Sequence, residues 1–214
     1  PSKIQTGEKI DRMMKKRYFA IPILAIALHF LLSNLLYFLV ERLVLDVFHV
    51  PPQQFMNHSY WGEILIYAVL ILVFFTLYKL LWRKDISEPR TATNFKDVLG
   101  SLIVGFGICG ISGLWIMLAE PLQKSVEAMN AGAENIAGGN AFGTFMIAVI
   151  AAPVVEEILF RGIVLRSMRK FAPAWAAILI SSVLFGVYHL NIVQAAYATL
   201  MGIAAGILYE KKRN

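Results

Sequence analysis

The chain has 214 residues, 58% of them hydrophobic, and a mean hydropathy of +0.64. An ordinary soluble domain is only about 45–50% apolar, so a soluble core of this size is excluded. The net charge of +6 does not point to nucleic acid, because the lysines and arginines stand in short clusters beside apolar runs, as membrane topology requires, and no basic stripe with interleaved aromatics is present.

A membrane span needs about 20 mostly apolar residues. Six stretches qualify or come close: 18–40, 62–82, 98–119, 142–169, 173–190 and 192–209. They predict an all-α polytopic bundle, a single integral membrane unit. In it, residues 1–141 supply the N-terminal helices and an outer loop, and residues 142–214 form a C-terminal unit. The run from Tyr18 to Val40 is too long for a signal peptide's apolar core, so it is expected to be retained. Pro1 in place of an initiator methionine suggests a trimmed or partial form of a longer chain. The fourth stretch exceeds a span because its C-terminal third, with Arg166, Arg169 and Lys170, is expected to emerge from the membrane. Cys109 lies in an apolar run, which predicts a buried, inert thiol and excludes an intrachain disulfide.

Short loops rich in Lys and Arg stay on the cytoplasmic side. Lys3, Lys9, Arg12, Lys15, Lys16 and Arg17 precede the first span. Arg83, Lys84, Arg90 and Lys96 separate the second from the third, and Arg166, Arg169, Lys170 and the ending Glu210-Lys-Lys-Arg213 are again basic. Between Ala119 and Ala141 only Lys124 stands against Glu120, Glu127 and Glu134. Both termini are therefore expected to be cytoplasmic, with 41–61 and 120–141 outside. The polar segment 122–141, with Gly132, Gly138 and Gly139, reads as a connector before it reads as a gating lid. Gly202-x-x-x-Gly206 and the glycines at 105, 107, 110 and 113 predict close helix approaches.

Ionisable residues inside a span are costly and mark function or a structural partner. In Pro153-Val-Val-Glu156-Glu157-Ile-Leu-Phe-Arg161, Glu157 and Arg161 are four apart and share a helix face, so an ion pair is expected. Glu156 is turned about 100° from Glu157 and is left over, a candidate general base. Pro153 has no N–H to donate, so a kink or loosened turn is expected beside the acids. On the next helix, Phe185-Gly-Val-Tyr-His189 places a histidine at a height similar to Glu156 if the two helices run antiparallel. A lone histidine is more often a satisfied core residue than a catalyst; the shared depth is what singles out His189.

Glu-Glu-x-x-x-Arg at 156–161 followed by Phe-x-x-x-His at 185–189 resembles the first two motifs of the CAAX protease and bacteriocin-processing family, also called the Abi family. Pro153 ahead, Gly162 after, and the glycine-rich Gly202–Tyr209 extend the likeness over roughly the last 75 residues. The resemblance implies an intramembrane endopeptidase whose catalytic set is Glu156, Glu157, Arg161 and His189. Glu156 and His189 would activate water, and Glu157 and Arg161 would hold the site. It implies no cofactor and no metal, with a peptide or lipidated protein as substrate in the bilayer; the short loops, the cation clusters and the lack of an ER retrieval signal lean towards a bacterial cytoplasmic membrane as the setting.

The family's third motif, His-x-x-x-Asn, supplies oxyanion stabilisation and has no counterpart here. His29 is followed at the fourth position by Ser33, and His49 and His58 fall in the first outer loop. The chain is thus expected to be cut before that motif or to lack its donor. Two other readings stand beside the metal-free peptidase. One is a zinc variant using both glutamates and the histidine, disfavoured because adjacent acids diverge and His-Glu-x-x-His is absent. The other is a non-catalytic membrane regulator that keeps the fold to bind a partner protein or peptide. A transporter would show internal repeats or interrupted helix pairs, and neither occurs.

Overall fold

Lipid offers the backbone no hydrogen-bond partners, so a spanning segment must satisfy its own amides, and helices do this within one segment. The computed structural model describes residues 3–51, 60–83, 94–135 and 140–213, and among these it contains seven helices and no strand. They are α1 (Lys3–Arg42, continued by a wide π-type turn Leu43–Val47), α2 (Tyr60–Leu81), α3 (Phe95–Leu118), α4 (Gln123–Asn135), α5 (141–168), α6 (Ala174–Tyr188) and α7 (Ile192–Arg213). Sequence expectations that rest on His58, Lys84, Arg90, Gly138, Gly139 and Asn214 fall outside the described residues.

Each of the six apolar stretches is helical, and four helical segments are long and apolar enough to cross a membrane: Tyr18–Val47, Tyr60–Leu81, Phe95–Leu118 and Ile192–Lys212. The basic N-terminal residues continue the first helix instead of preceding it, since α1 starts at Lys3. With 15 residues, α6 rises only about 22 Å and stops short of a full span. The polar segment after α3 is itself mostly helical, a 3-10 turn Glu120–Leu122 followed by α4.

Contacts between helix ends define the bundle. At one end the Tyr18 and Trp82 rings stack at 6.0 Å, and the Trp82 indole donates to the Gly162 carbonyl at 2.9 Å. Arg166 lies 4.9 Å over Trp82, Arg169 pairs with Glu210 at 3.1 Å, and Lys212 pairs with Asp97. At the other end Trp115 donates to the Val193 carbonyl at 2.9 Å, Trp61 meets Phe142 at 6.1 Å, and Ser125 bonds Asn191. The described basic segments 166–170 and 210–212 therefore gather at one end of an alternating bundle. The loop helix α4 covers the opposite end.

The core is organised around α5, where Leu159, Phe160, Ile163, Val164 and Leu165 are at most 1% exposed, packed by α1, α2 and α6. Leu24, Leu31, Leu72, Phe106 and Met117 point outward, as lipid-facing side chains do in a bundle that need not hide apolar surface. The glycines divide sharply. A Cβ on Gly202 would meet the Ser182 backbone at 2.9 Å and one on Gly206 would meet Ile178 at 3.0 Å, while Gly186 faces the Ala195 carbonyl even more tightly. The expected close approach of α6 and α7 is thus real. Glycines 105, 107, 110 and 113 have nothing within 4 Å. That expectation fails because α3 packs along α7 and turns these positions outward. Cys109 shares their exposed surface, which corrects the buried thiol expected there.

Candidate active site

Pro153 cannot donate a backbone hydrogen bond, and α5 does not run as a uniform α-helix around it. Wide π-type turns at 145–151 and 157–165 bracket one α-turn, Ala152–Glu156, so the two acids sit at the seam between turn types. Such turns recur at functional sites because they re-aim side chains without breaking the helix.

The seam separates the acids. Glu157 Oε1 lies 2.9 Å from Arg161 Nη1, with the guanidinium buried and the carboxylate side chain 53% exposed. That Nη1 has no well-aligned hydrogen bond, so the contact is an ion pair held by charge more than by direction. Arg161 is also clamped 4.9 Å over the Phe185 ring, which adds a cation–π attraction. Both residues line a cleft of about 240 Å³ with Phe75, Tyr78 and Tyr209.

Glu156 makes no ion pair with any described residue. Its charge still acts on Arg161, and also on Tyr67 of α2, Tyr188 of α6 and Tyr197 of α7. Tyr67 and Tyr188 line a second cavity, of about 370 Å³, together with His29, Asn34, Tyr37 and Glu63. The paired carboxylate thus lines one cleft, and the other carboxylate is electrostatically coupled to two phenols that line the second.

His189 caps the C-terminus of α6. Its Nδ1 is 2.8 Å from the Phe185 carbonyl. A carbonyl only accepts, so Nδ1 carries the hydrogen, and in the neutral ring Nε2 is left as the lone-pair acceptor. The ring is wedged edge-on against Phe185 at 5.0 Å and Tyr188 at 5.6 Å. Leu190 then takes a left-handed conformation with φ 55°, which costs a non-glycine residue about 1 kcal/mol or more. The strain is held by Asn191. Its Oδ1 accepts from the Val193 and Gln194 amides and from Ser125, and its Nδ2 donates to the Ser125 carbonyl at 2.8 Å. A turn that ends short of a full span needs such internal satisfaction, and α4 supplies half of it.

Glu157 and Arg161 are thus brought into contact as expected. Glu156 and His189 are joined by no direct hydrogen bond among the described residues; Tyr188 packs against His189 and is coupled to Glu156 through charge alone. Sequence reasoning misses His29, Tyr67, Tyr188 and Tyr197. His29 carries the same signal as the acids, an ionisable group in an apolar helix, but its partner is 159 positions away. The tyrosines carry no signal, since they count as aromatic core. Among the described residues no group of three His, Cys, Asp or Glu is arranged to hold a metal.

Residues 138–214, about a third of the chain, match the family model for type II CAAX prenyl endopeptidase, Rce1-like. The match spans Glu-Glu-x-x-x-Arg, Phe-x-x-x-His and the glycine-bearing α7, and it supports the family resemblance carried by those motifs. No curated protein and no solved structure matches the chain.

Proposed function

We propose that this protein is an intramembrane endopeptidase that hydrolyses a peptide bond with a water activated by Glu156 and His189. The observation that carries the reading is the division of the two acids: Glu157 makes the ion pair with Arg161, and Glu156 feels that cation only at a distance and makes no ion pair of its own inside an apolar bundle, where such a carboxylate is costly unless it works. His189 is suited to act with it as a proton acceptor, because Nδ1 is bonded to the Phe185 carbonyl and Nε2 is left with its lone pair. Water attacks the scissile carbonyl carbon and its proton passes to the Glu156 and His189 pair. The carbonyl π electrons move to oxygen, and collapse of the tetrahedral adduct expels the amine, which takes up the proton. Glu157 and Arg161 hold α5 against α6 through Phe185. The substrate is a peptide or a lipidated protein segment reaching the cavity from the bilayer.

The test is cleavage by detergent-purified protein of a panel of prenylated and unlipidated peptides, with Glu156→Gln as control. Cleavage that needs Glu156 is expected, and cleavage indifferent to Glu156 overturns the mechanism. A regulator that keeps the fold but not the chemistry is favoured by one fact, that no His-x-x-x-Asn occurs in these 214 residues. A biological effect undiminished in the Glu156→Gln protein would select it.

The end bearing 166–170 and 210–212 is assigned to the cytoplasm of a bacterial cell, with both termini of the chain on that side. Cysteine labelling of intact cells should leave a Lys170→Cys protein unmarked from outside; marking it would invert the topology.

A further inference from the structure

His29 of α1 and Tyr188 of α6 form a hydrogen bond of 2.8 Å between Nδ1 and the phenol oxygen. Neither ring has room to swing. His29 is 7% exposed, 5.5 Å from Phe74 and 5.4 Å from Tyr188, and Tyr188 is held edge-on by Phe30 at 5.2 Å and Phe160 at 5.4 Å. Tyr188 nevertheless lines the 370 Å³ cavity, so a ring held in place forms part of the wall of a space open to an occupant. Its ring packs edge-on against His189 at 5.6 Å, and the Glu156 carboxylate acts on it through its charge.

We propose that Tyr188, positioned by His29, is the hydrogen-bond donor that stabilises the oxyanion of the tetrahedral intermediate. This rests on the peptidase reading above and supplies what the reading otherwise lacks, a donor aimed at the developing negative charge. When the Nδ1–H of His29 donates to the phenol oxygen, the phenol hydrogen is free to point into the cavity, and a phenol that accepts a hydrogen bond is a stronger donor. As water adds to the carbonyl carbon, the carbonyl oxygen takes the electron pair and the hydrogen bond donated to it by the Tyr188 O–H shortens. The proton stays on Tyr188, and the bond relaxes when the amine leaves. A pre-placed donor in a site shielded from bulk water is the arrangement in which one hydrogen bond has most effect on rate. His29 touches no reacting atom in this scheme and is a positioning residue. Local spacing excludes it as a stand-in for His-x-x-x-Asn, yet the fold carries it to the site on a different helix.

The full chain would be assayed as wild type, Tyr188→Phe, His29→Ala, His29→Gln and Glu156→Gln. Each would be tested for peptide cleavage and for binding of a phosphinic peptide, whose tetrahedral oxyanion mimics the intermediate, against the matching uncleaved peptide. Phenylalanine preserves the ring packing, so the fold is kept. The expected result for Tyr188→Phe is a fall in kcat of about 10²–10³ with little change in KM. The same variant should lose affinity for the phosphinic peptide but not for the ground-state peptide. His29→Ala should reproduce part of that loss, and His29→Gln, whose amide can donate to the phenol oxygen, should restore some of it. Cleavage abolished by Glu156→Gln but retained by Tyr188→Phe overturns the donor role and leaves the peptidase reading standing. Equal weakening of both peptides by Tyr188→Phe assigns the residue to binding and overturns the proposal. A wild-type chain that neither cleaves nor prefers the phosphinic peptide overturns the peptidase reading and the proposal with it.

Discussion

Glu156 and Glu157 are adjacent on one helix, and the two faces of α5 that they occupy behave as different chemical regions. On the Glu157 face the carboxylate has found Arg161 and the pair closes a narrow apolar cleft. On the Glu156 face the carboxylate makes no ion pair with a described residue and is coupled through its charge to tyrosines, two of which line a larger cavity. Under the proposed mechanism, the same residue type at successive positions is a bracing element in one case and a reactive one in the other. What separates them is about 100° of helix rotation and the partner that the four-residue spacing provides.

The sharpest way to break that comparison is on the Glu156 face. Glu156→Gln and His189→Ala should each lower turnover by about 10³ or more while leaving the melting temperature in detergent near that of the wild type. Groups acting on one water act as a unit, so the double variant should be hardly slower than either single one. Losses that multiplied would show that the two residues work on separate steps.

The next effect in size belongs to the Glu157 face and is one of stability. Removing one partner of an ion pair leaves the other charge behind, and the cost depends on how well that remaining charge can escape. Arg161 is 6% exposed at its side chain and Glu157 53%. Glu157→Leu, which strands the buried guanidinium, should therefore cost about 3 kcal/mol and lower Tm by about 6–12 °C. Arg161→Leu leaves a carboxylate with room to move and should cost about 1 kcal/mol, or about 2–4 °C, although the arginine is the larger side chain. Thermal unfolding in detergent reads both. The reverse ranking would mean that the stack of Arg161 on Phe185 outweighs the ion pair.

How much of this was legible in the sequence follows from what each residue's neighbours are. The α5 motif was legible because its pairing is local: Glu157 and Arg161 meet through helix periodicity alone, and Glu156 is identified by elimination. The loosened backbone around Pro153 was legible for the same reason, since the missing N–H belongs to the residue itself. His29 was not, because its significance comes from Tyr188 on another helix. The tyrosines were illegible too, a phenol in an apolar run being indistinguishable from core until its hydroxyl is placed. The glycines make the point most plainly. Those of α7 press on Ser182 and Ile178, and those of α3 face nothing, yet both sets look alike in sequence. Small residues permit a close approach, and only the packing partner decides whether one occurs. The short stretch 173–190 and its break before 192 were legible, but the left-handed Leu190 and the bonds of Asn191 to Ser125 and to the start of α7 were not, because they depend on α4.

The smallest effect is expected from the change that looks most drastic, replacement of both charges at once in a Glu157→Leu, Arg161→Leu protein. An ion pair taken out of water carries a desolvation penalty on each side, and its attraction offsets that penalty only when geometry and hydrogen bonding are good. Here they are incomplete, because the Arg161 nitrogen nearest Glu157 has no well-aligned hydrogen bond. Two leucines would face Phe75, Tyr78 and Ile158, a lining that suits them. The double variant should therefore melt within about 4 °C of the wild type, well above Glu157→Leu, giving a coupling of roughly 2–3 kcal/mol between the two positions. Its activity decides the comparison between the faces. If Glu157 and Arg161 only brace α5, cleavage dependent on Glu156 should survive in the double variant to within about tenfold. A protein restored in stability yet silent in cleavage would place Arg161 or Glu157 among the groups that touch substrate, and α5 would then have two reactive faces instead of one.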